Sequence, residues 1–436
     1  MANHRRSARL RIAIASLAVL AAGIAALPAQ ATTTSPRAVP TSVDMQWVAV
    51  GGAGNAPDKT VMASDRSCCY GSVPYDFRIG TYDVTTTQYA AFLNAVASKS
   101  DPYVLYFPCM DVTACYHLGA GIARTGSPGA YVYTAQPGRE KRPINYLNVF
   151  MAMRFANWMN NGEGSASTET GAYTLRGGTI IPTNALTIRR NPGVKVWLPS
   201  EDEWYKAAYY DAKLKKYYAY PGGTSTPMQC ALPSAAPNTA NCGLVTAEHN
   251  PANPGLPSTA GWFYCDTSDV GAYTGTKSPS GAYDMGGNVF QWTDTFTDAV
   301  ILQYQAGSNI KPLLDAVDQS VGLPFSNTGP LAVVRGTDFG DAGSYNAADN
   351  RSADVAADPF ETYGMRMATI AAVAPPAAAP VAKPVSVSRT SAPPATGPAV
   401  SAPHGSLAAT GVRSQLTLLA LGLMAAGALV LRRRRV

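Results

Sequence analysis

The 436-residue chain is short of charge: 14% of its residues are Asp, Glu, Lys or Arg, against 46% hydrophobic. So apolar a composition excludes a disordered chain, which stays unfolded through high charge and few hydrophobic residues. Acidic side chains are absent from both ends. The net charge of +6 therefore arises from Arg5, Arg6, Arg9 and Arg11 at one end and from Arg413 and Arg432 to Arg435 at the other. With these nine set apart, 25 basic residues face 28 acidic ones, about −3. That balance excludes a basic nucleic-acid footprint. Long apolar runs are also missing: no interior stretch approaches the roughly 18 residues that a membrane span needs, which excludes a polytopic membrane protein. Histidine is scarce, with only His4, His117, His249 and His404. The H-E-x-x-H, G-x-S-x-G and phosphate-cradling glycine signatures are absent.

What is present at the ends reads as addresses. Residues 1–31 have a basic start, an apolar stretch from Ile12 to Leu27, and Ala29-Gln30-Ala31, the small-x-small pattern of a secretory cleavage site. A short linker, 32–43, follows. At the far end, 407–436 holds Leu407-Ala408-Ala409-Thr410-Gly411, a mostly apolar stretch from Leu416 to Leu431, and four arginines. Sixteen helical residues span about 24 Å, enough to pause in a bilayer with the arginines on the cytoplasmic side. This arrangement resembles a sortase sorting signal. The resemblance implies a transpeptidase that cuts between Thr410 and Gly411 and joins Thr410 to cell-wall peptide. A plain membrane anchor is the alternative. Between lies 370–406, with eight prolines and eleven alanines in 37 residues. Such a segment favours extended polyproline II and reaches about 115 Å, the form of a stalk.

The remaining 44–369 reads as one loop-rich globular unit. Tyr89, Phe92, Leu93 and Val96 recur at helical spacing over Thr87 to Ala97, and Ala152, Phe155, Ala156 and Met159 do so over Val149 to Asn160. Ser200 and Glu203 form a capping box that opens a third helix with Trp204, Ala207 and Ala208 facing inward. Strands are expected at Gln46–Val50, Phe77–Val84, Lys195–Leu198, Val289–Trp292 and Val333–Arg335. Seven cysteines suit an oxidising compartment. Cys109/Cys115 and Cys230/Cys242 are close enough for local bridges. The state of Cys68 and Cys69 is left open, and an odd count leaves at least one thiol over within the monomer.

Motifs throughout this unit resemble the formylglycine-generating enzyme (sulfatase-modifying factor) family. They include Tyr75-Asp76-Phe77-Arg78-Ile79-Gly80, Tyr82-Asp83-Val84-Thr85 and Arg142-Pro143-Ile144-Asn145. Further on come Trp197-Leu198-Pro199-Ser200-Glu201-Asp202-Glu203-Trp204, Tyr283-Asp284-Met285-Gly286-Gly287-Asn288-Val289, Arg335-Gly336 and Gly364-Met365-Arg366. The resemblance implies an α+β fold, a C-type-lectin-like variant low in regular secondary structure. In members that oxidise a sulfatase cysteine, two cysteines after the Arg-Gly block bind copper(I), a metal that soft thiolates suit. Here those positions hold Asp341 and Asn346, so no copper is expected. The iron-dependent relatives need a histidine cluster that His117 and His249, the two histidines of this unit, do not supply. The resemblance also implies a structural calcium site at the Asn288 side chain, the Val289 carbonyl and a Glu that here is Gln291. Gln keeps an oxygen but loses the charge, so calcium is expected to bind weakly or not at all. The alternative is that Asn288 and Gln291 only hydrogen-bond a tight turn. Asp338, Asp341, Asp349, Asp354 and Asp358 follow, and are expected to be ordinary surface-turn carboxylates rather than a paired acid/base or cation-binding site.

The sequence thus points to a secreted, cell-wall or cell-surface protein whose main domain is a non-catalytic binding module for a glycan, a peptide or another protein. The alternatives are a formylglycine-generating or related metal-dependent oxidase acting on exported proteins, and a structural wall protein.

Overall fold

A computed structural model describes residues 42–113, 121–243, 266–297 and 329–370. The signal segment, the stalk beyond Ile370 and the sorting segment lie outside these residues, as do Cys115 and Cys265. The chain divides into a unit of Met1–Ala374 and a second of Pro375–Val436, and every described residue belongs to the first.

Three helices form where local signals and apolar spacing agree. Thr85 caps α1 (Thr86–Val96) and exchanges hydrogen bonds with Gln88, a full capping box. α1 buries Tyr89, Phe92 and Leu93. Asn148 caps α2 (Val149–Asn160) by accepting from Met151 N at 2.9 Å. That helix is buried along most of its length, with Phe155 and Trp158 packed edge-on or tilted against Phe92 of α1. Ser200 caps α3 (Glu201–Tyr209), and Glu203 returns the bond to Ser200 N at 2.8 Å.

Two four-stranded sheets carry these helices. In the first, Trp47–Val50, Phe77–Gly80, Ala368–Thr369 and Val196–Trp197 lie side by side, all antiparallel. The end of the domain is thereby paired against its beginning. In the second the order is Ser352–Val355, Leu331–Arg335, Phe290–Thr297 and Tyr363–Met365, with the last pair parallel. Three two-stranded ribbons complete the described structure. The strand expected over Phe77–Val84 stops at Gly80, where the chain turns so that Thr81 N reaches Gln46 O. The strand around Val289–Trp292 instead runs on to Thr297 because Leu331–Arg335 pairs along it. One core holds Trp158, Trp197, Trp204 and Trp292 together with the inner faces of all three helices. Among the described residues no helix is long and apolar enough to cross a membrane.

Candidate functional site

The second sheet delivers two turns to one region. The first is Asp284–Gln291. Its backbone needs positive φ at Asp284 (53°), Gly287 (80°) and Asn288 (69°). At Gly287 a Cβ would stand 2.6 Å from the Asn241 carbonyl oxygen, so no larger residue fits. Asn288 is buried and pinned on both sides. Its N donates to Asn241 O at 2.9 Å, while its Oδ1 accepts from Ser268 N at 2.8 Å and Asn241 Nδ2 at 3.2 Å. Val289 is fully buried behind it.

Gln291 is fully buried and its amide is used at both ends. Oε1 accepts from Trp204 Nε1 at 2.7 Å and from Arg366 Nε at 3.0 Å, and Nε2 donates to Asp284 O at 2.7 Å. An oxygen that already takes two N–H donors, one on a guanidinium, does not fit a calcium ligand, since the donor protons and the cation would compete for it. Asn288 and Gln291 share a turn but serve different partners. No group of three or more His, Cys, Asp or Glu side chains suited to a metal occurs among the described residues.

The second turn, Gly336–Asn346, lies against the first. Phe339 N donates to Asn288 O at 3.1 Å, and the Thr337 hydroxyl accepts from Gly287 N at 3.0 Å. Asn346 is fully buried, with Oδ1 accepting from that same Thr337 hydroxyl at 2.6 Å. Asp338 and Asp341 are half-buried neighbours, with Gly340 N and Asp341 N both donating to Asp338 Oδ1. Burial pushes the Asp341 carboxyl up, and the charge of Asp338 pushes it further, so this pair retains a proton into the neutral range. The two are not the free surface-turn carboxylates that their composition suggests. A half-buried carboxyl that retains its proton and a buried amide committed to a hydroxyl do not fit copper(I). The described cysteines offer no thiolate either: Cys68 is bridged to Cys69, Cys230 to Cys242, and Cys109 is disulfide-bonded to a partner outside the described residues. The Cys230 sulfur lies 4.0 Å from Asp341 O, so the Cys230–Cys242 bridge packs directly on this turn.

Three features escape a sequence reading. Glu361 is buried with Oε2 lacking a partner, and burial, reinforced by Asp338 and Asp358, pushes it up to about 8. Asp83, also buried, rises to about 8 by burial even though Arg366 Nη2 stands 3.0 Å away. Asp284 rises to about 6 from burial and borders a small cleft with Met228, Tyr273, Thr276 and Ser278. Asp83 and Asp284 stand in recognisable motifs, but nothing in the motifs signals their protonation. Glu361 carries no local signal at all.

Charge is concentrated at the start of α3. Glu201 accepts from Arg335 Nε at 3.0 Å and from Arg351 Nε at 2.7 Å, and Arg351 also pairs with Asp65 at 2.7 Å. On the other side of the same turn, burial opposes the charge of Glu203, yet Arg190 outweighs it and holds that carboxyl below its usual range.

These features define a loop-rich α+β domain in which two glycine-bearing turns of one sheet meet over a buried Arg–Gln–Trp network. The chain belongs to the sulfatase-modifying factor enzyme 1-like domain family, whose model matches residues 35–371. Similar solved structures include CarF, at 16% identity and TM-score 0.43, covering 76% of this chain and 99% of that one. Treponema denticola variable protein 1 matches at 16% identity and TM-score 0.39, over 76% and 96% of the two chains. PvdO from Pseudomonas aeruginosa matches at 15% and 0.36, over 75% and 92%. No curated protein matches the chain.

Proposed function

We propose that this chain is an exported, wall-attached protein whose sulfatase-modifying-factor-like domain has given up copper-dependent oxidation and serves as a binding module. The observation that carries this reading is the pair Asp341 and Asn346 at the positions where oxidising relatives hold copper thiolates, with Asn346 Oδ1 bound to Thr337 at 2.6 Å. In this reading a sortase-type transpeptidase cuts after Thr410 and links the protein to cell-wall peptide. The proline-rich stalk then holds the domain away from the wall. Its ligand is an extracellular glycan, peptide or protein, and nucleic acid is not a partner. Copper has no role, and calcium binds weakly or not at all, since the side-chain oxygens of Asn288 and Gln291 each already accept two N–H donors.

The test incubates the purified protein with copper, oxygen and a Cys-x-Pro-x-Arg peptide, beside a glycan and surface-peptide binding screen. The expected outcome is unchanged peptide mass and saturable binding in the screen. A mass loss matching conversion of cysteine to formylglycine would overturn the reading in favour of an oxidase. Absence of any saturable ligand would favour a structural wall protein.

A further inference from the structure

Cys68 and Cys69 are neighbours in the chain and are joined to each other by a disulfide. A bridge stabilises a fold chiefly by shortening the loops open to the unfolded chain, and a bridge between adjacent residues closes the smallest loop possible. Its contribution to global stability is therefore minimal. Both residues are exposed, unlike Cys242 at 0% and Cys109 at 2%. A structural bridge is usually shielded; this one is presented to solvent.

The surroundings connect the pair to the charged centre at the start of α3. Cys69, inside the ring that the bridge closes, is held at φ 139°, a conformation that L residues avoid. The next residue, Tyr70, lays its ring beneath two guanidinium groups, Arg335 at 5.5 Å and Arg351 at 5.3 Å from the centroid. Both arginines bind Glu201. The loop is tied down on each side of the pair. Ser67 O accepts from Met62 N at 2.8 Å, and Gly71 N donates to Asp202 Oδ1 at 2.7 Å. A change at the bridge is thus confined to the few residues that include Tyr70.

We propose that Cys68–Cys69 is a thiol–disulfide exchange site for a partner protein dithiol, and that its redox state sets the conformation of the loop carrying Tyr70. One thiolate of the dithiol attacks an exposed sulfur of the pair, breaking the Cys68–Cys69 bond, forming a mixed disulfide and freeing the neighbouring cysteine as a thiolate. The second thiolate of the dithiol then attacks its own partner sulfur in the mixed disulfide. The dithiol leaves as a disulfide, oxidised by two electrons, and the pair takes up two electrons and two protons as Cys68 and Cys69 thiols. Freed from the ring, Cys69 no longer has a covalent reason to stay at positive φ, and the segment from Ser67 to Tyr70 rearranges.

The test treats the full exported protein with graded dithiothreitol, alkylates the free thiols, and maps them by mass spectrometry alongside limited trypsin cleavage. Expected is double labelling of Cys68 and Cys69 at a reductant level that leaves Cys230–Cys242 closed, with cleavage after Arg66 appearing only in the reduced sample. A Cys68→Ser/Cys69→Ser variant, folded by circular dichroism, should be cut after Arg66 without reductant. The proposal is overturned if the untreated protein already labels at both positions, or if these cysteines open only together with Cys230–Cys242. It is overturned equally if the folded double variant resists cleavage like the oxidised protein.

Discussion

The indole of Trp204 donates to Oε1 of Gln291 at 2.7 Å, tying the first turn of α3 to the second sheet through a fully buried bond. Arg366 reaches the same oxygen at 3.0 Å. Gln291→Ala leaves both donors without an acceptor, and the cost of such buried, unsatisfied groups is about 1–3 kcal/mol. A lower urea midpoint with an unchanged slope is the expected result. The same geometry predicts little or no change in melting temperature when calcium is added to chelator-treated protein. A clear calcium-dependent rise that vanishes in Asn288→Ala would show that the turn holds the ion after all.

Glu201 is the shared acceptor of Arg335 and Arg351, all three buried. Glu201→Gln keeps the shape but removes the negative charge that the two guanidinium groups share. Breaking a buried ion network by neutralising one partner costs about 3–5 kcal/mol. Equilibrium denaturation measures the loss. A change within experimental error would mean that Asp65, which pairs with Arg351, compensates the missing charge.

Stability should fall as pH rises from the ordinary carboxylate range near 4 toward 8. Asp83 and Glu361 have folded-state values pushed up to about 8 by burial. Within that window the unfolded chain has released these protons and the folded chain has not, so each group lowers stability by at most about 1.4 kcal/mol per pH unit. Above about 8 the two states are equally ionised at these groups and the slope ends. Melting curves across this range check the sign, and Glu361→Gln should flatten the dependence. Stability that instead climbs steadily to pH 8 would contradict the buried protonated carboxyls.

Gly287→Ala combines a positive φ of 80° with a contact of 2.6 Å to the Asn241 carbonyl. Strain of this kind costs about 1–3 kcal/mol, and the turn carrying Asn288 would shift to relieve it. A reduced melting temperature is expected. Gly138→Ala is the control: its φ is also positive, at 78°, but no atom lies within 4 Å of the added Cβ. Equal losses in the two variants would assign the whole effect to backbone conformation.

Much of the fold was legible before any coordinates. The three helices announce themselves through period and caps. Thr85 with Gln88 and Ser200 with Glu203 are local pairs, and local pairs need no knowledge of the rest of the chain. Five strands are legible to within a few residues, but Ile122–Thr125, Val132–Ala135, Ser352–Val355, Tyr363–Met365 and Ala368–Thr369 are not, and neither is any pairing. Pairing Ala368–Thr369 with both Phe77–Gly80 and Val196–Trp197 joins segments far apart in sequence, which no local pattern encodes.

The site divides along the same line. The sequence alone determined that thiols are missing at Asp341 and Asn346 and that Gln291 carries no charge, because these are facts of composition at motif positions. Only the tertiary structure decided what those residues do instead. Gln291 became the acceptor between Trp204 and Arg366, Asn346 the partner of Thr337, and Asp341 a carboxyl sharing its burial with Asp338. A side chain's chemistry is written in its own atoms, but its protonation and partners depend on which distant groups the fold brings within hydrogen-bonding reach and on how much water it leaves around them.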